Sequence, residues 1–169
     1  VPCYNEEDAL PETVRILSEK YFTLMRKGMI SEESKILFVD DGSSDNTWNM
    51  ISEYHEKKPI FCGLKLSRNR GHQNALYAGL MAAAPHCDAA VSIDADLQDD
   101  VDAIDQMIVK FGDGCDIVYG VRNKRDSDTF MKRFTAEGYY KVMRLFGAQI
   151  IFNHADFRLM SRRAIEALS

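Results

Sequence analysis

Apolar residues recur along the chain with two periods, one typical of helices and one of short buried strands. Within residues 8–27 the apolar positions are spaced alternately by four and three, as on one face of a helix: Leu10, Val14, Leu17, Tyr21 and Leu24. Gly28 is expected to end this helix. Residues 35–39 form a short apolar run that ends in a polar turn, which predicts a strand.

The same succession of strand and helix continues to residue 121. Further strands are predicted over residues 60–66, 89–93 and 116–121. Helices are predicted over residues 72–84 and 101–111, and around Trp48, Ile51 and Tyr54, where Ser44 or Asp45 would be the cap. Residues 130–146 are also helix-like. The alternation predicts an α/β fold with a mostly parallel central sheet flanked by helices.

Length and charge narrow the class of protein. The 169 residues are 46% hydrophobic, which fits one globular domain, and we expect that domain to be truncated at both ends. A net charge of -5 argues against broad nucleic-acid binding. The cysteines form no C-x-x-C pair, which indicates reduced thiols facing the cytosol. No apolar run approaches the roughly 20 residues of a membrane span.

Two acidic clusters directly follow predicted strands, where open α/β sheets bind their ligands. In the second cluster Asp94 and Asp96 are backed by the amide of Gln98, and together these side chains offer several hard oxygens to Mg²⁺ or Mn²⁺. A cation would also relieve the repulsion among so many carboxylates, so we favour a metal site over a solvated loop. The first cluster, residues 40–45, suits a capped turn equally well.

A basic cluster follows the last predicted strand of the alternating region. Arginines and lysines gather within residues 122–133 of an otherwise acidic chain: Arg122, Lys124, Arg125, Lys132 and Arg133. Such a run is often only a solvated face. Its position after a strand end instead favours a local anion site in which at least one arginine contacts a phosphate.

Five motifs occur in a familiar order and spacing: PCYNEE at residues 2–7, VDDGSSD at 39–45, SRN and GHQ within 67–73, DADLQ at 94–98 and DFRL at 156–159. Together they resemble the family 2 glycosyltransferases over essentially the whole chain. Within that family the sequence is most similar to the dolichol-phosphate mannose synthase type and to bacterial enzymes that load glucose or similar sugars onto undecaprenyl phosphate.

The resemblance implies a GT-A type nucleotide-sugar-binding fold and an inverting transfer from a UDP- or GDP-sugar. By matching position, the nucleoside would contact Pro2, Tyr4 and Glu6, with Asp40 or Asp41 accepting a hydrogen bond from the base. Arg68 would approach the donor. Asp94 would contact the ribose or the metal, and Asp96 and Gln98 would bind the Mg²⁺ or Mn²⁺ that bridges the two phosphates.

On the acceptor side the resemblance implies a polyprenyl phosphate, undecaprenyl or dolichyl, at the cytoplasmic face of the membrane. Arg122, Arg133 and Arg158 would hold its phosphate. Asp156 would be the catalytic base or an acceptor-orienting carboxylate, unless it only caps or forms a salt bridge beside a strand. We interpret His72 as a helix cap or core residue and leave it out of the catalytic set.

Two alternatives stay open beside this interpretation. One is a soluble family 2 enzyme that glycosylates a hydroxyl of a polysaccharide, a cell-wall polymer or a protein. The other is a non-catalytic module that binds a nucleotide-sugar without turnover. The sequence also leaves open the sugar, the choice between UDP and GDP, and whether the protein forms a homo-oligomer.

Overall fold

The structure is a computed structural model, and it describes residues 1–121 and 154–168. Arg122, Arg133 and the helix predicted over residues 130–146 lie outside the described residues. The strands are β1 (Pro2–Cys3), β2 (Ile36–Asp40), β3 (Phe61–Lys65), β4 (Ala89–Ser92), β5 (Ile117–Val121) and β6 (His154–Ser161). The helices are α1 (Leu10–Arg26), α2 (Thr47–Lys57), α3 (His72–Ala83), α4 (Ala103–Gly112) and α5 (Arg162–Glu166).

The predicted helices are present with small changes at their ends. The apolar face of α1 is buried as its spacing predicts, and the helix is followed by Gly28 in a left-handed conformation with φ of 67°. Helix α2 begins at Thr47 and its N-cap position is Asn46, so the prediction of Ser44 or Asp45 as the cap is wrong. Asp45, one residue earlier, accepts from the N–H of Thr47 through its Oδ1 at 3.0 Å. The N–H of Ser44 instead donates to Asn5 Oδ1, because the loop that carries Asn5 lies against it.

The strands form one parallel and one antiparallel group. Strands β1, β2 and β3 are parallel neighbours in that order. In the second group β6 lies between β4 and β5 and is antiparallel to both. The prediction of an α/β fold with a parallel sheet and flanking helices is confirmed, with β6 as the strand of opposite direction. Its alternation of buried side chains indicates a strand but carries no information about direction.

Helix α1 contributes to two parts of the core. Leu10 and Val14 pack with Phe38, Ile51 and Phe61 around β2 and β3. Further along the helix, Leu17 and Leu24 pack with side chains from α4 and β6, namely Ile104, Met107, Phe157 and Leu159. The shared helix holds both strand groups in one body, so the ends of β1, β2 and β4 open on the same cleft. Among the described residues, no helix is both long and apolar enough to cross a membrane.

Candidate active site

The cleft lies beyond the carboxyl ends of β1, β2 and β4, where ligands of open α/β sheets bind. Most of the residues that the sequence assigns to the donor line it, namely Pro2, Tyr4, Glu6, Asp41, Asp94 and Asp96. Cys3, Asn69, Gly71, His72, Ala75 and Ala95 complete the described lining. Its charged side chains are mostly carboxylates, and the described lining contains no lysine or arginine. The site is therefore anionic before any ligand binds.

One wall of the cleft is backed by two loops, residues 5–7 and 43–47, which we call the loop clamp. Of these residues, Glu6 belongs to the described lining. Backbone N–H groups of each loop donate to side chains of the other: Asn5 to Ser43 Oγ (3.0 Å), Ser44 to Asn5 Oδ1 (2.9 Å), Glu6 to Thr47 Oγ1 (2.8 Å), Glu7 to Asp45 Oδ2 (3.1 Å) and Asn46 to Glu7 Oε2 (2.9 Å). Asn5 adopts a left-handed φ of 54°, which asparagine tolerates better than most residues. The loop clamp fixes Tyr4 and Glu6 at the cleft.

Asp40 and Asp41 are more enclosed than their predicted role suggests. Asp40 is fully buried; its Oδ1 accepts from the N–H of Ser43 at 3.2 Å, and its Oδ2 has no hydrogen-bond partner among the described residues. Asp41 is 2% exposed, and its two oxygens accept from the N–H groups of Arg70 (2.7 Å) and Gly71 (2.8 Å). Asp41 thus holds the loop before α3, and base recognition by either aspartate stays a prediction.

The opposite wall contains residues 94–98, which we call the aspartate loop. Ala95 is buried, and its carbonyl accepts from the hydroxyl of Thr13 below it. Asp94 and Asp96 flank this anchor and both line the cleft. Leu97 has a left-handed φ of 49°, and its N–H donates to the carbonyl of Asp94 at 3.3 Å. Gln98 is exposed, and its side chain is not part of the described lining.

The carboxylates of the two walls influence each other. Burial raises the pKa of Asp94, and the nearby carboxylates of Asp96, Asp99 and Asp156 add to the rise while His72 opposes it. Burial also raises the pKa of Glu6, with further contributions from Asp96, Asp45 and Asp94. Additional negative charge is therefore costly here, and a cation between the walls would be favoured.

The carboxylate oxygens of the cleft fit a hard divalent cation that binds together with a phosphate-bearing substrate. Carboxylate oxygens are what Mg²⁺ and Mn²⁺ prefer, and Asp94 and Asp96 supply them. In residues 1–121 and 154–168, no three side chains of histidine, cysteine, aspartate or glutamate are gathered closely enough to hold a metal ion. Mg²⁺ commonly uses one or two carboxylates and completes its shell with water and substrate phosphates. The site suits that mode of binding.

The start of α3 brings two side chains to Asp156. The amide of Gln73 donates to Asp156 Oδ2 at 2.7 Å, and His72 Nε2 lies 3.2 Å from the same oxygen and 3.5 Å from Asp94 Oδ1. From β4, the hydroxyl of Ser92 donates to the backbone carbonyl of Asp156. Asp156 therefore lies beside the cleft although it is more than sixty residues from Asp94 in sequence.

The interpretation of His72 as a cap or core residue is wrong. Its side chain is 42% exposed and faces the carboxylates of Asp94 and Asp156, while the N-cap position of α3 is occupied by Gly71. Gln73 was also missed. The sequence feature that could have indicated a role for His72 and Gln73 is that this polar pair follows Gly71 at the start of a predicted helix. The pair meets Asp156 only because α3 packs against β4 and β6.

Two of the predicted arginines, Arg68 and Arg158, are described, and neither belongs to the described lining of the cleft. Arg68 is exposed, and its backbone packs against Gly42, where an added methyl group would come within 2.5 Å of the Arg68 carbonyl carbon. Arg158 lies on β6 opposite Ser92 and Tyr119, and its buried Nε has no hydrogen-bond partner within the described part of the chain. Their ligand contacts stay predictions.

Curated relatives match nearly the whole chain. It is 51% identical over 168 residues to an uncharacterized glycosyltransferase, YkoT, of Bacillus subtilis (strain 168), with 99% of this chain and 50% of the relative covered. It is 39% identical to a prophage bactoprenol glucosyl transferase homolog of Escherichia coli (strain K12) and 38% identical to a bactoprenol glucosyl transferase of Shigella phage SfV, each covering 98% of this chain and 52% of the relative. The chain thus spans about half the length of these curated relatives.

Solved structures confirm the predicted GT-A type fold. Residues 1–349 of Staphylococcus aureus TarS match with a TM-score of 0.61 at 16% identity, over 99% of this chain and 47% of that one. A mannosyltransferase of Pyrobaculum calidifontis, solved with GDP-Man and Mn²⁺, matches with a TM-score of 0.56 at 19% identity, over 99% and 45%. The family model described as glycosyl transferase family 2 matches residues 1–169, and the chain belongs to that family.

Proposed function

We propose that this protein is an inverting glycosyltransferase that moves a sugar from a nucleoside-diphosphate-sugar to a polyprenyl phosphate with the help of a divalent cation. The observation that carries the proposal is the convergence of Asp94, Asp96 and Asp156 on one cleft at the strand ends. Asp94 and Asp96, on one wall, would hold the divalent cation that binds the diphosphate of the donor. Asp156 would face the approaching acceptor.

The donor half of the proposal uses the two walls of the cleft. The nucleoside would lie along the loop clamp beside Pro2, Tyr4 and Glu6, and the diphosphate would lie toward Asp94 and Asp96. A bound Mg²⁺ or Mn²⁺ would stabilise the charge that develops on the leaving diphosphate. The GDP-Man and Mn²⁺ in the structurally similar mannosyltransferase support this assignment.

The acceptor half rests on the relatives named bactoprenol glucosyl transferase and on the charge of the acceptor. A lipid phosphate is already an anion, so it chiefly needs positioning and screening by cations rather than a strong base. Arg122, Arg133 and Arg158 are the predicted phosphate ligands. One phosphate oxygen would bond to the anomeric carbon from the face opposite the departing diphosphate, and the configuration would invert. This activity would take place at the cytoplasmic face of the membrane.

Release of nucleoside diphosphate tests the proposal most directly. The full-length protein would be incubated with Mn²⁺, a panel of UDP- and GDP-sugars, and short polyprenyl phosphates. We expect rapid release only when the lipid phosphate is present. Release with a hydroxyl acceptor alone would contradict the lipid-phosphate assignment. Tight donor binding with no release under any condition would identify a non-catalytic module instead.

A hydroxyl acceptor is the second candidate, because the contact between Asp156 and an imidazole is also an arrangement that general bases use. Asp156→Asn separates the two candidates. The variant should keep appreciable transfer to a lipid phosphate, which needs no deprotonation, and should lose nearly all transfer to a hydroxyl. Near-total loss with intact donor binding would therefore count against the phosphate acceptor.

A further inference from the structure

Gln73 makes a hydrogen bond that neither the donor site nor the predicted acceptor site explains. Its amide donates to Asp156 Oδ2 at 2.7 Å across 83 positions of sequence. We propose that Gln73 is a positioning residue for the transfer step, which holds the Asp156 carboxylate in the orientation that the acceptor requires. The proposal rests on the proposed function, because it assumes that Asp156 meets the acceptor.

The loop before α3 gives Gln73 a fixed starting point. Asp41 accepts from the N–H groups of both Arg70 and Gly71, and Asn69 Oδ1 accepts from Gly71 at 3.0 Å. Asn74 closes the turn by donating to the carbonyl of Arg70 at 2.7 Å. These bonds restrain the backbone of the first turn of α3. The Cα of Gln73 therefore has a defined position, although its side chain is exposed.

Asp156 is restrained from the other side. Its backbone carbonyl accepts from Ser92 on β4, which fixes the main chain at this point of β6. The contacts from Gln73 and His72 both reach Oδ2. Among the described residues, Oδ1 receives no hydrogen bond, so this oxygen faces the acceptor in our proposal. A rotation of the carboxylate away from this orientation would break the hydrogen bond from Gln73, so the amide of Gln73 opposes such a rotation.

A double-mutant cycle on the full-length protein tests this role. The variants are Gln73→Ala, Asp156→Asn and the double variant, assayed for kcat with a polyprenyl phosphate and for donor affinity with Mn²⁺ present. We expect Gln73→Ala to lower kcat about tenfold, the loss of one charge-assisted hydrogen bond, with the donor Kd within about twofold of wild type. The double variant should be no slower than Asp156→Asn alone, because Gln73 acts only through Asp156.

Two further variants separate positioning from a structural role. Gln73→Glu keeps the size and the helix propensity but replaces the donor with a negative charge, and it should be slower than Gln73→Ala. Lys57→Ala removes an exposed charge-assisted hydrogen bond to the Glu53 carboxylate within α2, away from the cleft, and should retain wild-type kcat. Equal rates for Gln73→Glu and wild type, or losses that multiply in the double variant, would overturn the proposal. Failure of wild type to use any lipid phosphate would overturn the proposed acceptor and this role with it.

Discussion

The two walls of the cleft are held together in different ways. In the loop clamp, hydrogen bonds run between segments about forty residues apart, and the underlying Asp40 and Asp41 are buried. In the aspartate loop, the hydrogen bonds at Leu97 and Gln98 are local. Its polar contacts with distant described residues include the bond of Thr13 to the Ala95 carbonyl and the approach of His72 to Asp94. The loop clamp is thus preformed by the fold, whereas the aspartate loop presents the half-buried carboxylate of Asp94 and the exposed carboxylate of Asp96, whose repulsion a cation would relieve.

We therefore expect substitutions in the two walls to affect different properties of the protein. Substitutions in the loop clamp should change folding stability and donor affinity, because its polar groups hold each other. Substitutions in the aspartate loop should change turnover with little effect on folding, because exposed side chains contribute little to stability.

The largest effect is expected from Asp96→Asn in the full-length protein. Loss of this carboxylate should lower kcat by about 100-fold or more, since the leaving diphosphate loses its electrostatic stabilisation. The free energy of unfolding should change by less than about 0.5 kcal/mol because Asp96 is exposed. Assays of nucleoside diphosphate release across Mn²⁺ concentrations measure the first quantity, and urea unfolding measures the second. Asp113→Asn, at a surface ion pair with Lys110, is the matched control; equal rates for the two variants would contradict the assignment.

Gly42→Ala should break the loop clamp. Gly42 has φ of 70°, and a methyl group there would collide with the backbone of Arg68, so we expect a loss of about 3 kcal/mol in urea unfolding. Gly28→Ala is the control, because Gly28 has nearly the same φ of 67° but nothing within 4 Å of the added methyl group. Its loss should be about 1 kcal/mol, from backbone strain alone. Equal losses would show that the close approach of residues 42 and 68 is unimportant.

A smaller effect is expected from Asn5→Gly. Glycine keeps the left-handed backbone of Asn5 but removes the side chain that accepts from Ser44. We expect about 1 kcal/mol of destabilisation and a modest increase in donor Kd, measured by chemical unfolding and by calorimetry. Ser31→Ala, which loses one exposed hydrogen bond to Glu33, should change neither quantity measurably. Unchanged donor affinity in Asn5→Gly would show that the loop clamp does not shape the nucleoside wall.

The smallest effect concerns pH in the absence of divalent cations. The pKa of Asp94 is raised above its ordinary 3.8 by burial, so ionising this carboxyl costs more in the folded protein than in the unfolded chain. Its contribution to folding stability should therefore decline as pH rises through and above that value. Thermal unfolding in a chelator should show a smaller decline for Asp94→Asn than for wild type. Identical pH profiles would contradict the raised pKa.

Much of the site could be predicted from spacing and motif. Pro2, Tyr4, Glu6, Asp94 and Asp96 line the cleft as expected. Asp94 and Asp96 follow a strand that the apolar pattern predicts, whereas Pro2, Tyr4 and Glu6 were assigned through the motif at residues 2–7 alone. Base recognition by Asp40 or Asp41 could be predicted less well from the sequence. Whether a carboxylate faces a ligand or holds a neighbouring loop depends on backbone N–H groups such as those of Arg70 and Gly71, which no motif shows.

The family, the alternation of helices and strands, and the aspartate pair follow from residue type and from spacing along the chain. The direction of β6, the enclosure of Asp41, and the contacts of His72 and Gln73 with Asp156 are features of the tertiary fold alone. These features require segments tens of residues apart to pack in one arrangement. Local pattern does not encode that arrangement, because a helix start presents the same polar pair wherever the helix packs.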